Sequence, residues 1–260
     1  MTAFEPGTLA VVRTALSQQP AGLLTDLDGT LAPIVRDPTA VALADGARDA
    51  LAGLARKLAV VGVITGRAAP DARRIAGIPG LLVIGNHGLE WLDPGHAQPR
   101  LAVELAPIEA LLRSALAALP AEPGIAVDEK GLSATIHYRN APRAALARRR
   151  ILAALAHLPA GLELREGRLS VELRPAGAGD KGTALRQVVA RYRLRGLAVA
   201  GDDMTDLDMF RAAAELRAAG RLEAAIVAVG GSGEVPEAVV EAADALVASP
   251  DELVRLLAAI

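Results

Sequence analysis

Cysteine is absent from the 260 residues. That excludes disulfides and thiolate metal sites, although it does not by itself fix the compartment. Aromatic residues are scarce, 2% against 52% hydrophobic residues overall, so the core has to be built mostly from Ala, Leu and Val. Such a composition favours helices packed closely on a sheet. No stretch approaches the uninterrupted apolar length of a membrane helix. Met1 to Gly7 carries no basic side chain and Arg13 interrupts the apolar residues from Leu9 to Leu16, which is not the pattern of a secretory signal. Nor is charge of one sign in excess: 28 basic and 30 acidic residues leave a net charge of -2, so neither a nucleic-acid footprint nor a polyacidic tail is indicated. The expectation is a soluble, cytoplasmic protein with no nucleic-acid or membrane partner, long enough for one large or two small domains.

What is present is organised around Leu23-Leu24-Thr25-Asp26-Leu27-Asp28-Gly29-Thr30-Leu31. The apolar run from Ala21 to Leu24 reads as a buried strand that ends in two carboxylates, after which Gly29 and Thr30 turn the chain. Residues two apart on a strand face the same side, so Asp26 and Asp28 can both face the carboxyl edge of a sheet, where open α/β folds bind ligands. A solvated Asp-rich turn fits this stretch equally well. A second acidic cluster changes the balance: Gly201-Asp202-Asp203-Met204-Thr205-Asp206 also follows an apolar run, Leu197 to Ala200. Two strands ending in carboxylates can converge on a divalent cation, and Mg²⁺ suits an all-oxygen site completed by water and substrate phosphate. Between the clusters lie Thr65-Gly66-Arg67, closing the strand Val60 to Ile64, and Asp180-Lys181-Gly182, opening a helix.

Apolar strands alternate with helical patterns from residue 8 to Ile84 and again from 184 to the end, which argues for parallel βαβ units. Ser249-Pro250-Asp251-Glu252 places an N-cap, an N1 proline and an N3 glutamate at the start of a last helix. From about Leu101 the rhythm changes to helix, strand pair, helix, strand pair, with tight turns at Lys130-Gly131 and Glu166-Gly167. Antiparallel hairpins follow, hence an inserted α+β unit. The predicted division is 1–100 and 176–260 for the α/β part and 101–175 for the insert. In the insert Leu132, Ala134, Ile136 and Tyr138 alternate with Ser133, Thr135, His137 and Arg139, and Leu169, Val171 and Leu173 with Arg168, Ser170, Glu172 and Arg174. Helices covering the apolar face leave a polar one lined by Lys130, His137, Arg139, Glu172 and Arg174. Taken alone, that face reads as an ordinary solvated sheet surface; next to a phosphate-transfer centre it would serve as a lid for sugar hydroxyls.

The ordered set of Asp26, Thr65, Lys181 and Asp202, each at a strand or helix end, resembles the signature of the haloacid dehalogenase superfamily. The resemblance implies a Rossmann-like core with a parallel sheet and a smaller inserted cap. It implies Asp26 as nucleophile, Asp28 as general acid and base, and Thr65 and Lys181 on the phosphoryl oxygens, with a metal site formed by Asp26, Asp28, Asp202 and Asp206. A closer match is carried by Asp26 to Ile34 with Asp37-Pro38, Gly85-Asn86-His87-Gly88-Leu89-Glu90, Glu129-Lys130-Gly131, His137-Tyr138-Arg139, Glu172-Leu173-Arg174-Pro175 and the last acidic cluster. These resemble the trehalose-6-phosphate phosphatase family, in family order over nearly the whole chain. The implied reaction is Mg²⁺-dependent hydrolysis of trehalose 6-phosphate to trehalose and phosphate. Implied substrate contacts are Gly66, Arg67, Asn86, His87 and Glu90 in the core, and Lys130, His137, Arg139, Glu172 and Arg174 in the cap. Leu207 departs from the Glu usual in the family after its Thr-Asp pair. Rival readings are a phosphatase for another phosphosugar, a phosphomutase, and a non-catalytic sugar-phosphate sensor.

Overall fold

The computed structural model describes residues 6–35, 37, 40–167, 169–231 and 235–260. Pro38, part of the opening motif quoted above, and Arg168, read above as a strand-face residue, lie outside the described residues. Two compact units form, one from the chain up to Arg100 together with Gly179–Ile260, the other from Leu101–Ala178.

The first unit begins with α1 (Pro6–Leu16), β1 (Ala21–Thr25), α2 (Ala47–Ala55), β2 (Val60–Ile64), α3 (Ala69–Ala76), β3 (Leu82–Gly85), β4 (Glu90–Leu92) and the short β5 (Arg100–Leu101). The second unit runs through α4 (Leu105–Leu116), β6 (Ala126–Glu129), β7 (Ala134–His137), α5 (Ala144–Ala154), β8 (Leu162–Gly167) and β9 (Ser170–Pro175). The first then resumes with α6 (Lys181–Tyr192), β10 (Gly196–Gly201), a 3₁₀ turn at Met204–Asp206, α7 (Leu207–Ala218), β11 (Glu223–Val229), α8 (Glu237–Glu241), β12 (Ala245–Val247) and α9 (Pro250–Ala258).

The sheet of the first unit has the order β12-β11-β10-β1-β2-β3-β4-β5. It is parallel from β12 to β3, and β4 returns antiparallel to β3. Its central strands are apolar on both faces, as a parallel sheet covered by helices on both sides requires. Leu23 of β1 and Ala198 of β10 join one cluster with residues of α1, α2, α3 and α9. Their neighbours Leu24 and Val199 join the other with α6 and α7. The chain leaves β1 toward β2 in one half and β10 toward β11 in the other, so strand order reverses between β1 and β10, and their carboxyl ends form the crevice where such folds bind ligands.

The α/β class with a parallel sheet is as the alternation predicts. Three strands escape it, β4, β5 and β12, each of three residues or fewer. A run that short carries no periodicity to read. The last helix starts as predicted, with Ser249 Oγ accepting from the Glu252 amide at 3.2 Å. The Glu252 carboxylate accepts from Ala248 N at 2.5 Å, one residue before the cap.

In the second unit the sheet order is β6-β7-β9-β8, all antiparallel. Ala134, Ile136, Val171 and Leu173 pack with Leu112 and Ala115 of α4 and Ala147 and Ile151 of α5. Thr135 and Glu172 are register partners on the opposite, polar face, as are Glu163 and Arg174.

Candidate active site

At the end of β1 the Asp26 amide donates to Ala200 O of β10 at 2.9 Å, which holds the two strand ends together. Beyond it the chain turns tightly: Leu31 N and Ala32 N both donate to Leu27 O, and Gly29 N to Ala32 O. Gly29 has φ +88°, and a Cβ there would overlap the Asp202 carboxylate. Only glycine takes that backbone without strain and leaves the carboxylate its place. The next residue, Thr30, donates its hydroxyl to Asp202 Oδ1 at 2.7 Å.

Asp206 sits one turn beyond Asp202 and is fully buried. Its Oδ2 accepts from the amides of Asp202 and Asp203 at 2.9 and 3.1 Å, and its Oδ1 from Lys181 Nζ at 2.7 Å. Lys181, the first residue of α6, also lies 2.8 Å from Asp26 Oδ1. The helix is started by Asp180, whose side chain accepts from Thr183 N at 2.8 Å, and this start places Lys181 inside the site.

Asp26, Asp202 and Asp206 offer carboxylate oxygens that all lie within 4.8 Å of one another. Three carboxylates against one buried ammonium leave the cluster short of positive charge. Burial, reinforced by Asp206, pushes the Asp202 carboxyl up to about 7. Burial likewise raises Asp26 well above the usual carboxylate range, against the pull of Lys181. Burial alone would lower Lys181, but Asp206 and Asp26 hold its ammonium far above its ordinary value. An oxygen-only donor set with excess negative charge fits a hard divalent cation.

Asp28 lies outside this trio. Both of its oxygens are taken by Arg67, with Nε at 2.7 Å from Oδ2 and Nη2 at 2.8 Å from Oδ1. Arg67 Nη1 donates to Asp71 Oδ2 at 2.8 Å, and the other Asp71 oxygen accepts from Arg74 at 2.6 Å. Asp28 was expected among the metal ligands; its carboxylate is committed to a guanidinium. Thr65, at the end of β2, is buried, and its hydroxyl accepts from Arg67 N at 3.2 Å.

After β3, Asn86 and His87 both take left-handed backbone, with φ 48° and 55°. Consecutive non-glycine residues in that region cost energy and mark a constrained site. A Cβ on Gly66 would come within 2.6 Å of His87 Nε2, so the imidazole lies directly against the Thr65-Gly66-Arg67 turn. The Asn86 side chain donates to Glu90 Oε1 at 2.7 Å, and Glu90 Oε2 accepts from Ala69 N at the start of α3 at 2.5 Å. Asn86 is 1% exposed and Glu90 6%. Both side chains, implied above as substrate contacts, are buried, bonded to one another and hold the wall of the site together.

The remaining candidates belong to the second unit. Lys130 Nζ donates to Thr135 Oγ1 at 3.1 Å. Arg174 is buried, with Nε 2.9 Å from Glu163 Oε1 on the neighbouring strand. His137 and Glu172 are partly buried and Arg139 is exposed. Burial first, then Arg139 and Lys130, lowers the His137 imidazole below its ordinary value. Leu207 is a core residue at the start of α7, 3% exposed in the cluster of Phe210 and Met209. Sequence reasoning gave no role to Thr30 or Asp71. The first stood inside the acidic motif; the only signal for the second was its spacing of four from Arg67, one helical turn.

An α/β fold with an acidic, cation-competent crevice at its strand reversal defines the class of the protein. Comparison with known proteins narrows it. The family model for trehalose-phosphatase matches residues 24–239, and the chain belongs to that family of phosphatase hydrolases. It is 35% identical over 206 residues to a trehalose-phosphate phosphatase of Mycobacterium tuberculosis, which covers 75% of this chain and 51% of the relative. It is 37% identical over 212 residues to an uncharacterized glycosyl hydrolase of the same organism, covering 77% of this chain and 16% of that protein. The chain thus spans about half the length of the first relative and a sixth of the second. The C-terminal domain of a Candida albicans trehalose-6-phosphate phosphatase has the same fold, with a TM-score of 0.76 at 22% identity over 99% of this chain and 97% of that one.

Proposed function

We propose that this chain is a Mg²⁺-dependent phosphatase of the haloacid dehalogenase superfamily that converts trehalose 6-phosphate to trehalose and phosphate. The observation that carries the reading is Lys181 bridging Asp26 and Asp206, with Asp202 completing an oxygen cluster. Family membership supports the substrate class.

Asp26 attacks phosphorus through a carboxylate oxygen. As the phosphorus–sugar oxygen bond breaks, its electron pair stays with the sugar oxygen, which takes a proton from Asp28. The resulting aspartyl phosphate is then attacked at phosphorus by water, which gives a proton to Asp28, and the Asp26 carboxylate is regenerated. Two easier displacements replace one difficult one. Asp26, Asp202 and Asp206 would hold Mg²⁺, which supplies positive charge to the phosphoryl oxygens and to the carboxylates. Lys181 offsets further negative charge, and Thr65 is proposed to donate to a phosphoryl oxygen. The first unit serves as catalytic core and the second as cap. Lys130, His137 and Glu172 on the polar side of the second unit's sheet, and Arg139 in the turn past β7, are proposed to meet sugar hydroxyls, with Arg174 paired to Glu163 on that same side.

Phosphate release from a panel of sugar phosphates, with Mg²⁺ and with chelator, tests this. The expected result is Mg²⁺-dependent turnover with trehalose 6-phosphate preferred, abolished in Asp26→Asn while the far-ultraviolet circular dichroism is unchanged. Preference for another sugar phosphate would refute the disaccharide assignment. Tight binding without turnover would favour a sensor, and isomerised product without free phosphate a mutase.

A further inference from the structure

The Arg67 guanidinium uses all three nitrogens on carboxylates: Nε and Nη2 on Asp28, Nη1 on Asp71. Asp71 lies in the first turn of α3, where the helix dipole favours a carboxylate. Its second oxygen is pinned by Arg74, so the anchor is itself held on two sides. Burial would raise the Asp71 carboxyl, but hydrogen bonds from Arg67 and Arg74 keep it below its ordinary value. The same turn of α3 is fixed from beneath by Glu90 through the Ala69 amide. The chain Asp71–Arg67–Asp28 thus runs from a rigid helix start to a carboxylate two residues beyond Asp26.

We infer that Asp71 is a positioning residue which, through Arg67, sets the direction in which Asp28 presents its carboxyl to the leaving oxygen. The inference rests on the role proposed above for Asp28. A planar guanidinium held by Asp71 at one edge fixes the plane of the carboxylate that it grips with the other two nitrogens, and Arg alone among side chains offers that geometry. Without Asp71, Arg67 keeps its bond to Asp28 but loses the second grip, and the pair is free to swing together. Binding of substrate phosphate does not use Asp71, so the loss falls on the chemical step. It falls most heavily where the leaving oxygen needs a proton. A sugar alkoxide does; p-nitrophenolate, a stable anion, does not.

The test is kinetics of Asp71→Ala and Asp71→Asn with Mg²⁺, in the steady state with trehalose 6-phosphate and in the first turnover with p-nitrophenyl phosphate. The expected result for Asp71→Ala is a fall of about tenfold in kcat for the sugar phosphate, a fraction of a full general-acid contribution. KM should stay within about twofold, and the rate of p-nitrophenolate release in the first turnover, which precedes the water step that also uses Asp28, should change by less than about twofold. Asp71→Asn keeps an acceptor for Arg67 Nη1 and should restore most of the loss. An equal loss in first-turnover p-nitrophenolate release, or no loss with either substrate, would overturn the inference while leaving the phosphatase reading intact. If wild-type protein hydrolyses a different sugar phosphate, the same comparison on that ester decides the matter. If it hydrolyses neither ester class, the proposed function falls and the inference with it.

Discussion

The Thr30 hydroxyl donates to Asp202 Oδ1 at 2.7 Å, joining the turn after β1 to the turn after β10 across 172 positions of sequence. Asp202 therefore has one oxygen oriented before any cation arrives. Partners of this kind commonly carry about 10–100-fold in metal affinity. Thr30→Val keeps the shape and removes the donor, so the Mg²⁺ concentration for half-maximal activity should rise by about tenfold. An unchanged Mg²⁺ titration would show that Asp202 is oriented without it.

Lys181 is 2% exposed and is the ammonium that meets both Asp26 and Asp206. Taking away one partner of a buried ion pair leaves its carboxylates uncompensated, at a cost of about 3–5 kcal/mol. Metal-free Lys181→Met should lose stability of that order in urea unfolding and should not turn over substrate. Added Mg²⁺ should recover part of the stability, since a cation substitutes for the missing charge. A variant as stable as wild type without metal would contradict this account of the cluster.

Burial, then Asp206, raises Asp202 to about 7 in the folded chain, whereas an unfolded Asp releases its proton near about 4. Between those values the folded, metal-free protein holds a proton that the unfolded chain has lost. Its stability contribution is therefore present at low pH and disappears as pH rises through the window, by about 1.4 kcal/mol per unit for one such group. Asp26 is shifted in the same direction. The measurement is the difference in unfolding free energy between wild type and Asp202→Asn from pH 4.5 to 8 in chelator, which should move in favour of the variant up to about pH 7 and then level off. Because a cation competes with these protons, the gain in Tm from Mg²⁺ should be larger at pH 8 than at pH 5.5. A gain that shrinks as pH rises would reverse the sign assigned here.

Gly29 combines φ +88° with no room for a Cβ beside Asp202. Gly29→Ala should cost about 1–2 kcal/mol from the backbone alone, and should weaken Mg²⁺ activation as well, because the methyl displaces a proposed ligand. Thermal melts and Mg²⁺ titration separate the two effects. Stability loss without a change in Mg²⁺ response would mean that Asp202 yields to the methyl without leaving the site.

Much of the protein follows from sequence alone. The strands ending at Asp26 and Asp202 are read from short apolar runs closed by carboxylates, because a buried parallel strand must be apolar on both faces and its ligand groups must lie at its end. The polar face carrying Thr135 and Glu172 follows from a period of two. What needed tertiary structure was partnership over distance. Arg67 and Asp28 are 39 positions apart, and no local pattern says that the guanidinium takes both carboxylate oxygens. The family resemblance implies Asn86 and Glu90 as substrate contacts, and it does not say that the return of β4 against β3 buries them against each other. Periodicity reports which face a side chain takes; which other chain segment meets it there is decided only when the sheet order and the turns bring the strand ends together.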